Sequence, residues 1–466
     1  MTIDYELKSK SNAIMLAFLL AFGAFYNGYC TAIFNPLAKP VLEKVYHYDK
    51  VKDKVEIDQI NGLINAVFAI GAMIGVLGTG FLANITGRKF ILYLSELVAI
   101  SNCGLYVLEE LELLIVARFV SGLVSGMSSI GFIIISELLP NWVSGVGNTF
   151  GYILGTGAML VGYMTQNIFS EDELVKYYRE LLCLTVITSA FRLLLLPCYL
   201  KTDTPKYLFQ NCSNDDEAFA KIRIAYSNVY MREYLNQATY ESIRTFSSQR
   251  QSGTIKLCAM FTKKYRLRLW SGCFLAIAQQ MCGINFFIFY STQIFDELNG
   301  KGKSMTLVIG LANFLGGFIA LNLIGRFGRK YNFVYGCGVQ AISMVVLVIG
   351  IQLKIFPILA VTAVIYIVAF AVGLGGSYSA YLCEILPPAG VGISMTIQWV
   401  LTALIGYFTP TVNDIFGELV VLIFFTVMCI LLFLGLGQWT IETKGKKEQQ
   451  ITEQFEHGDL KFMSFT

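Results

Sequence analysis

Charge is scarce in this chain of 466 residues, since Asp, Glu, Lys and Arg together make up 14% of it and the net charge is only +3. A soluble protein of this length carries about 25% charged residues, and a nucleic-acid-binding protein needs a clear excess of basic ones. Neither class fits, so we expect no nucleic-acid partner. The 55% of hydrophobic residues and the mean hydropathy of +0.60 indicate a membrane protein instead.

The apolar runs contain no histidine, and the cysteines are not spaced as metal ligands. The two histidines, His47 and His457, lie outside the long apolar runs, and the eleven cysteines show no paired metal-ligand spacing. Most cysteines lie inside apolar runs, where small reduced thiols are usual. The chain also has no nucleotide-binding loop and no nucleophile–base pair. We therefore expect no enzyme activity, no metal and no cofactor.

Long apolar runs dominate what is present. They recur at about 20 residues, the length that a helix needs to cross a hydrocarbon core of about 30 Å, and they are continuous, which favours helices over barrel strands. The first run lacks a cleavage site and predicts a spanning helix, not a signal peptide. The predicted fold class is all-α integral membrane with twelve transmembrane helices, at Ala13–Phe34, Ile60–Leu82, Phe90–Leu108, Leu113–Ile135, Gly145–Gln166, Leu181–Leu200, Trp270–Ile294, Met305–Ile324, Asn332–Ile351, Ile355–Cys383, Val391–Val412 and Leu419–Trp439.

Two phrases occur twice, about 245 residues apart. "TGRKF" returns as "FGRKY", and "IIISELLP", with Glu137, returns as "YLCEILPP", with Glu384. Such duplication is typical of transporters in which two similar bundles rock about a site near the midplane. We expect one six-helix bundle over residues 1–200 and another over 269–440. A central segment at 201–268 separates them, and a tail at 441–466 follows.

Loop charges predict the orientation. The central segment carries twelve Lys and Arg against six Asp and Glu, whereas the loop Asn35–Gln59 balances five Lys with five acids. Basic loops stay in the cytoplasm, so we expect the central segment and both termini there, in a multi-pass protein of the plasma membrane. "DDEAFAKIRIAY" and "MREYLNQATYESIRTF" have helical spacing. They predict short helices that either cover the bundle or form a regulatory docking surface.

Several motifs occur in a fixed order along the chain. "QQMCGINFFIFYS" (Gln279–Ser291) fits the pattern Q-Q-x-x-G-I-N-x-x-x-Y-Y apart from Phe289, and "RFVSGLVSG" (Arg118–Gly126) fits R-F-x-x-G-x-x-x-G. "DTPKYL" and "IETKG" resemble P-E-S-P-R-F/Y-L and P-E-T-K-G. On these motifs nearly the whole chain resembles the sugar porters of the major facilitator superfamily, which include facilitative glucose transporters and proton–sugar symporters. The resemblance implies hexose transport by alternating access, by a monomer in a lipid bilayer.

The resemblance also implies a sugar site in a central cavity. Hexose hydroxyls need donors and acceptors held in a mostly apolar pocket with aromatic faces. Gln279, Gln280 and Asn285 fall on one helix and are close enough to share a cavity-facing side, although amides also join helices in membranes. Further sugar contacts are expected from Asn313, Gln398 and Trp399, the last two only if four residues are missing from the loop before them.

The repeated acids are implied to act in gating. In the family, each lies at the cytoplasmic end of its helix and pairs with basic loop residues when the transporter is open outward, and breaking these pairs permits inward opening. Such an ion pair is shielded from water in one conformation and exposed to water in the other. Asn84 and Ile85 stand where the family has Asp-Arg, so we expect a weaker outward bias. The implied gating residues are Glu137, Glu384, Arg88, Lys89, Arg326, Arg329, Lys330, Arg118 and Tyr290.

Two cavity positions depart from the family pattern. The helix-5 glutamine is not evident, and Thr149 or Tyr152 occupies its neighbourhood. Ser379 replaces the helix-10 tryptophan, unless Tyr378 or Tyr381 fills the space. These changes keep a polyol, a pentose or an inositol open as alternative substrates.

Proton coupling depends on the first helix. "NGYCTAIFN" puts Cys30 where proton symporters of the family carry an aspartate. A buried proton carrier must titrate near neutral pH, and a thiol in an apolar site stays protonated. Arg118, which partners that aspartate in symporters, is retained, but facilitators keep it too. We therefore predict facilitated diffusion. Proton symport and a transporter-like sugar sensor are the alternatives, and the short tail after Trp439 argues against the sensor.

Overall fold

The fold is described by a computed structural model. It covers residues 10–48, 54–139, 141–212, 214–227, 229, 235–250, 260–263, 265–288, 292, 295, 300, 302–446 and 448–456. Every regular element among these residues is helical.

The helices before the central segment form the N-terminal bundle. They are α1 Lys10–Ala21, α2 Gly23–Ala32, α3 Phe34–Lys44, α4 Lys54–Thr86, α5 Arg88–Tyr106, α6 Leu111–Met127, α7 Ile130–Leu138, α8 Asn141–Ile168, α9 Glu171–Lys176, α10 Tyr178–Cys183 and α11 Thr185–Tyr199. The central segment adds α12 Pro205–Asn211, α13 Asp215–Tyr226 and α14 Leu235–Arg250.

The second half forms the C-terminal bundle. Its helices are α15 Arg266–Met281, α16 Gly302–Phe327, α17 Arg329–Leu353, α18 Phe356–Phe370, a π turn at Ala371–Gly375, α19 Tyr378–Ile385, α20 Pro388–Phe416 and α21 Glu418–Trp439. The tail adds α22 Glu448–Glu456.

Ten helical stretches of the described chain are long and apolar enough to cross a membrane. They coincide with ten of the twelve predicted spans. The other two predictions coincide with α5 and α8, which are 19 and 28 residues long. Charged Arg88, Lys89 and Glu96 lie within α5 and lower its hydropathy. The all-α integral membrane fold is therefore confirmed.

Close helix packing builds each bundle. In the N-terminal bundle α4 packs along α6 and α2 along α8, and in the C-terminal bundle α17 packs along α18 and α21. Gly71 and Gly122 allow α4 and α6 to approach, because a Cβ on either would meet a backbone carbonyl of the other helix. The two bundles meet mainly along α4 with α20 and α8 with α16. A site between the bundles is therefore bordered by these helices.

Two spans are interrupted inside the bundles. The first span breaks at Phe22, between α1 and α2. The tenth changes into the π turn at Ala371–Gly375, which contains Gly373 and Gly375, before α19 begins. Local π geometry often marks functional sites because it redirects side chains.

The polar segments also contain helices. The predicted "DDEAFAKIRIAY" helix is present as α13, and α14 begins at Leu235, within the second predicted stretch, whose first residues lie outside the described ones. The sequence did not predict α22 in the tail. Its Ile451 and Phe455 are buried and belong to the core of the C-terminal bundle. The tail is therefore docked on that bundle.

Candidate substrate site and gates

Amide side chains from two helices of the C-terminal bundle form a buried cluster. Asn285 donates its side-chain N–H groups to Oε1 of Gln280 and, at 3.2 Å, to Oγ1 of Thr402. Gln280 donates to Oε1 of Gln279 at 3.4 Å. Gln280 and Asn285 are only 4% and 6% exposed. These groups provide closely spaced donors and acceptors of the kind that bind hydroxyls.

A helix break makes this cluster possible. Gln279, Gln280 and Asn285 were predicted to share one continuous helix, but α15 ends at Met281 and helical structure resumes at 284–288. On an unbroken helix, positions five apart lie about 140° from one another, so Gln280 and Asn285 would diverge. Gly283 has φ +95, a conformation that favours glycine. The turn at Gly283 therefore brings Asn285 to Gln280.

Asn313 forms a contact between the two bundles. It lies in α16, is 5% exposed, and accepts a hydrogen bond at 2.7 Å from the hydroxyl of Tyr152 in α8. Tyr152 was one of two candidates for the family's helix-5 position. The bond places Tyr152 beside a predicted sugar ligand. The other candidate, Thr149, is buried.

Trp399 is part of an aromatic contact across the same interface. Its ring stands edge-on to Phe68 of α4, with ring centroids 6.1 Å apart and the planes at 79°. The neighbouring Gln398 joins the amide cluster only through its backbone carbonyl among the described residues, as the acceptor of Thr402 at 3.0 Å. The structure therefore links Thr402, which the sequence did not single out, to the cluster instead of the Gln398 side chain.

Tyr378 and Tyr381 of the tenth helix were candidates to fill the space of the missing tryptophan. Tyr381 is fully buried, and its hydroxyl accepts the backbone N–H of Ile441 at 3.0 Å and lies 3.3 Å from the Ser271 hydroxyl. It therefore packs inside the C-terminal bundle. Tyr378 is also buried, and Ser379 is half-buried.

Arg118 carries a buried charge that lies beside a backbone carbonyl and two aromatic rings. It is 0% exposed and donates from Nη1 to the backbone carbonyl of Cys30 at 2.7 Å. Its guanidinium carbon lies 5.1 Å from the ring centre of Phe34 and 4.7 Å from that of Phe68. Within the described chain, Nε and Nη2 have no hydrogen-bond partner and no acid lies within 4.0 Å. The charge is thus held by aromatic faces and one carbonyl.

Arg88 and Glu137 form an ion pair at the end of the molecule that carries residues 87–89 and 328–330, here called the GRK end. Arg88 donates from Nε and Nη2 to the two oxygens of Glu137 at 3.1 and 3.2 Å, and the Thr204 hydroxyl donates to Glu137 at 2.7 Å. The side chains of the ion pair are 2% and 8% exposed. A two-point, buried pair of this kind is geometrically well defined.

The second copy of the phrase gives a second pair. Nη2 of Arg329 donates to Oε1 of Glu384 at 2.6 Å, with side chains 15% and 29% exposed. This pair is less buried than the first, and the other Glu384 oxygen has no partner among the described residues. The two halves therefore carry similar but unequal ion pairs.

Two further carboxylates, missed by the sequence analysis as site residues, cap the helices of the GRK motifs. Asp203 accepts the backbone N–H groups of Arg88 and Lys89, each at 3.1 Å. Glu442 accepts those of Arg329 and Lys330 at 3.0 and 3.1 Å. Each acid satisfies the free amides at a helix N-terminus and complements the helix dipole. The motifs "DTPKYL" and "IETKG", which contain Asp203 and Glu442, were the features of the sequence that could have indicated these two acids.

Glycine is required at both caps. Gly87 and Gly328 have φ +96 and +91, and a Cβ on either would collide with the capping carboxylate. Burial raises the pKa of Asp203 above its ordinary value, although the three backbone N–H groups of Arg88, Lys89 and Thr204 act in the opposite direction.

Three more predicted gating residues, Lys89, Arg326 and Lys330, lie near these pairs without joining them. Lys89 donates to the carbonyl of Lys201 at 2.7 Å, and the carbonyl of Arg326 accepts from Lys444 at 2.8 Å. In the described part of the chain, Lys89, Arg326 and Lys330 form no ion pair with the repeated acids. Tyr290 lies outside the described residues.

Contacts between the bundles also occur toward the opposite end. Asn35 and Tyr163, both of the N-terminal bundle, donate to the carbonyl of Ile288 at 2.9 and 2.8 Å. Beyond them, Lys303 and Glu171 form an exposed ion pair at 3.5 Å. These contacts hold the two bundles together on that side of the amide cluster.

Comparison with known proteins decides the family. The family model described as Sugar (and other) transporter matches residues 16–455. The chain belongs to this family. One relative is the solute carrier family 2, facilitated glucose transporter member 3 of Rattus norvegicus, 25% identical over 93% of this chain and 91% of the relative. Another is the glucose transporter GlcP of Staphylococcus epidermidis, 26% identical over 84% of this chain and 87% of the relative.

A solved structure agrees with the predicted fold. The major facilitator superfamily proton:xylose symporter XylE of E. coli, bound to 6-bromo-6-deoxy-D-glucose, matches with a TM-score of 0.82 at 21% identity. The match covers 96% of this chain and 100% of XylE. The fold of this sugar transporter is therefore the major facilitator fold, as predicted.

This member of the sugar transporter family contains a second buried ion pair that the sequence analysis missed. Arg192 of α11 pairs with Glu96 of α5, with side chains 2% and 4% exposed. Arg192 also donates to the carbonyls of Leu19 and Leu20, at 3.1 and 3.4 Å, just before the break at Phe22. A helix break in a membrane frees carbonyls that need donors. The pair therefore supports the broken first span.

Proposed function

We propose that this transporter carries a hexose of the glucose type across the plasma membrane by alternating access, as facilitated diffusion without proton coupling. The observation that carries the proposal is the environment of Arg118. Its charge is held by the Cys30 carbonyl and by two phenylalanine rings, and among the described residues no acid lies within ion-pair distance of it to take up and release a proton. A titrating partner is what proton coupling at this place would require.

The proposed sugar ligands are the amide cluster and the aromatic ring beside it. Gln279, Gln280 and Asn285 offer donors and acceptors, Asn313 adds an amide from α16, and Trp399 offers an apolar face. Such a mixture suits a sugar ring, which is polar at its edge and apolar on its faces. Two relatives are named as glucose transporters, which supports a hexose as the substrate.

Proton-coupled sugar transport is the second candidate. The specific observation in its favour is Glu96, a buried acid inside the N-terminal bundle. Buried intramembrane acids often take part in proton relays. Glu96 is held by Arg192, however, and a counter-charge that also supports the helix break favours a structural role.

We place the GRK end, the central segment and both termini in the cytoplasm, because the basic loops lie there. Large apolar side chains on the outer surface, such as Phe81, Leu194 and Ile342, are 67–75% exposed, and they suit contact with lipid. We also propose that one chain forms the complete transporter, because both bundles and the site between them belong to it.

Uptake of labelled D-glucose into proteoliposomes tests the function. Saturable uptake of D-glucose, with L-glucose excluded and no change on adding a protonophore or imposing a pH gradient, is the expected result. Accumulation driven only by an inward proton gradient would support proton coupling instead. Absence of D-glucose uptake, with D-xylose or myo-inositol transported, would assign the site to another polyhydroxyl solute.

We further propose that the ion pair of Arg88 and Glu137 acts in gating. The pair lies inside the N-terminal bundle and holds the end of α7, which packs against α19 of the other bundle. In Glu137→Gln, the buried Arg88 loses its counter-charge and the end of α7 is held less firmly, so the GRK end is expected to open more often. Cys383 lines a small cavity between the bundles at this end, together with Val76 and Met395. The measurement is the rate of maleimide modification of Cys383 as the single remaining cysteine, and we expect an increase of about threefold or more.

The control for this prediction is Glu109→Gln, which removes an exposed ion pair with Arg179 that lies within the N-terminal bundle. It is expected to leave the Cys383 rate near that of the parent. Equal rates in Glu137→Gln and the parent would assign Glu137 to fold stability alone.

A further inference from the structure

A tyrosine hydroxyl donates a hydrogen bond to one of the proposed sugar ligands. The Tyr152 hydroxyl donates to Oδ1 of Asn313 at 2.7 Å, and the two residues belong to different bundles. A phenol O–H has the same donor chemistry as a sugar hydroxyl. The Asn313 acceptor is therefore used by a group of the protein itself.

Two glycines hold the tyrosine ring in this place. A Cβ on Gly375, in the π turn of the tenth span, would lie 2.5–2.7 Å from the Tyr152 hydroxyl and ring atoms. A Cβ on Gly317 of α16 would lie 3.4 Å from the ring. The ring thus lies against two positions without side chains, which fix its direction toward Asn313.

We propose that Tyr152 is a built-in stand-in for a substrate hydroxyl. In the empty carrier its hydroxyl satisfies Asn313 and joins the bundles, and an arriving sugar takes over the Asn313 acceptor with one of its own hydroxyls. This inference rests on the proposed function and names the chemistry of that step. The substrate must present a hydroxyl donor to Asn313 in exchange for the phenol.

This exchange has two measurable consequences. The phenol competes with the sugar, so its removal tightens sugar binding. It also stabilises the empty carrier with its bundles in contact. In net uptake, a facilitator must change back to the outward-facing conformation without sugar after each transport event. Exchange of internal for external sugar does not include that step. Loss of the bond therefore slows net uptake relative to exchange.

The test uses the full chain in detergent for binding and in proteoliposomes for transport, with labelled D-glucose as the probe. Tyr152→Phe is expected to lower the Kd for D-glucose by about fivefold, the effect of one net hydrogen bond. The ratio of exchange to net uptake is expected to rise about threefold or more. Gly375→Ala, which pushes the ring away from Asn313, is expected to change both quantities in the same direction.

Tyr163→Phe is the matched control. It removes another tyrosine hydroxyl bond between the same two bundles, on the same helix, but its acceptor is the carbonyl of Ile288 and no proposed sugar ligand is freed. It is expected not to tighten D-glucose binding. In an Asn313→Ala background, Tyr152→Phe is also expected to lose its effect on Kd.

The outcomes separate this inference from the proposed function. Tighter binding in Tyr152→Phe alone, lost in the Asn313→Ala background, supports the stand-in. Unchanged or weaker binding in a well-folded Tyr152→Phe, or equal tightening in Tyr163→Phe, overturns it while the sugar transport of the parent stands. A parent chain that neither binds nor transports D-glucose, D-xylose or myo-inositol overturns the proposed function and this inference together.

Discussion

Arg192→Met is expected to lower the free energy of unfolding by about 3–5 kcal/mol, the usual cost of leaving one member of a buried ion pair alone. The Glu96 side chain, which is 4% exposed, would be left without its counter-charge, and the carbonyls of Leu19 and Leu20 would lose their donor. The measurement is the unfolding temperature of the purified protein in detergent, followed by size-exclusion chromatography after heating.

A double variant distinguishes this explanation from simple loss of packing. Glu96→Leu combined with Arg192→Met removes both charges, and we expect it to recover most of the lost stability, because apolar pairs often replace buried ion pairs at little cost. Arg179→Met is the control for a surface pair, since Arg179 and Glu109 are 31% and 69% exposed, and about 1 kcal/mol or less is expected there. Failure of the double variant to recover would contradict the ion-pair argument.

Gln280→Ala is expected to reduce kcat/KM for sugar uptake by about 10- to 100-fold. The change removes a proposed sugar ligand and also the acceptor that holds Asn285, and one lost buried polar interaction costs about 1–3 kcal/mol. The measurement is D-glucose uptake in proteoliposomes with matched amounts of folded protein.

Gln398→Ala is the comparison for that prediction. The Gln398 side chain is half-buried, and its backbone carbonyl is what contacts Thr402, which the substitution leaves in place. We expect a decrease of only a few-fold, about what a single peripheral contact gives. Equal, mild effects of the two changes would place the sugar site elsewhere.

Much of the architecture could be predicted because it depends on local pattern. Apolar runs of spanning length predicted the helices, and repeated GRK and Glu phrases predicted two similar halves. Arg88 with Glu137 and Arg329 with Glu384 were among the partners that the family resemblance implied. The structure reduces that set of partners. Lys89 and Lys330 donate their backbone N–H groups to Asp203 and Glu442, and within the described chain neither lysine forms an ion pair with Glu137 or Glu384.

What the sequence did not predict depends on the meeting of distant residues or on a break in a helix. Glu96 and Arg192 are 96 positions apart, and nothing in either helix alone indicates that they meet. Gly283 breaks a span that reads as one apolar helix, and only this break aligns Gln280 with Asn285. The sequence placed Tyr152 near the position of the family's helix-5 glutamine. Its bond to Asn313 was not predicted, because the two residues belong to different bundles.

Both ion pairs of the GRK end lie inside single bundles. Arg88, Glu137 and the Asp203 cap belong to the first half of the chain, and Arg329, Glu384 and the Glu442 cap belong to the second. Rigid-body rotation of one bundle against the other therefore leaves these charged contacts intact. Among the described residues, apart from the exposed pair of Lys303 and Glu171, the hydrogen bonds between bundles are neutral and worth about 1 kcal/mol each. The strong polar contacts therefore lie within each bundle, and only weak ones have to be broken when the bundles reorient.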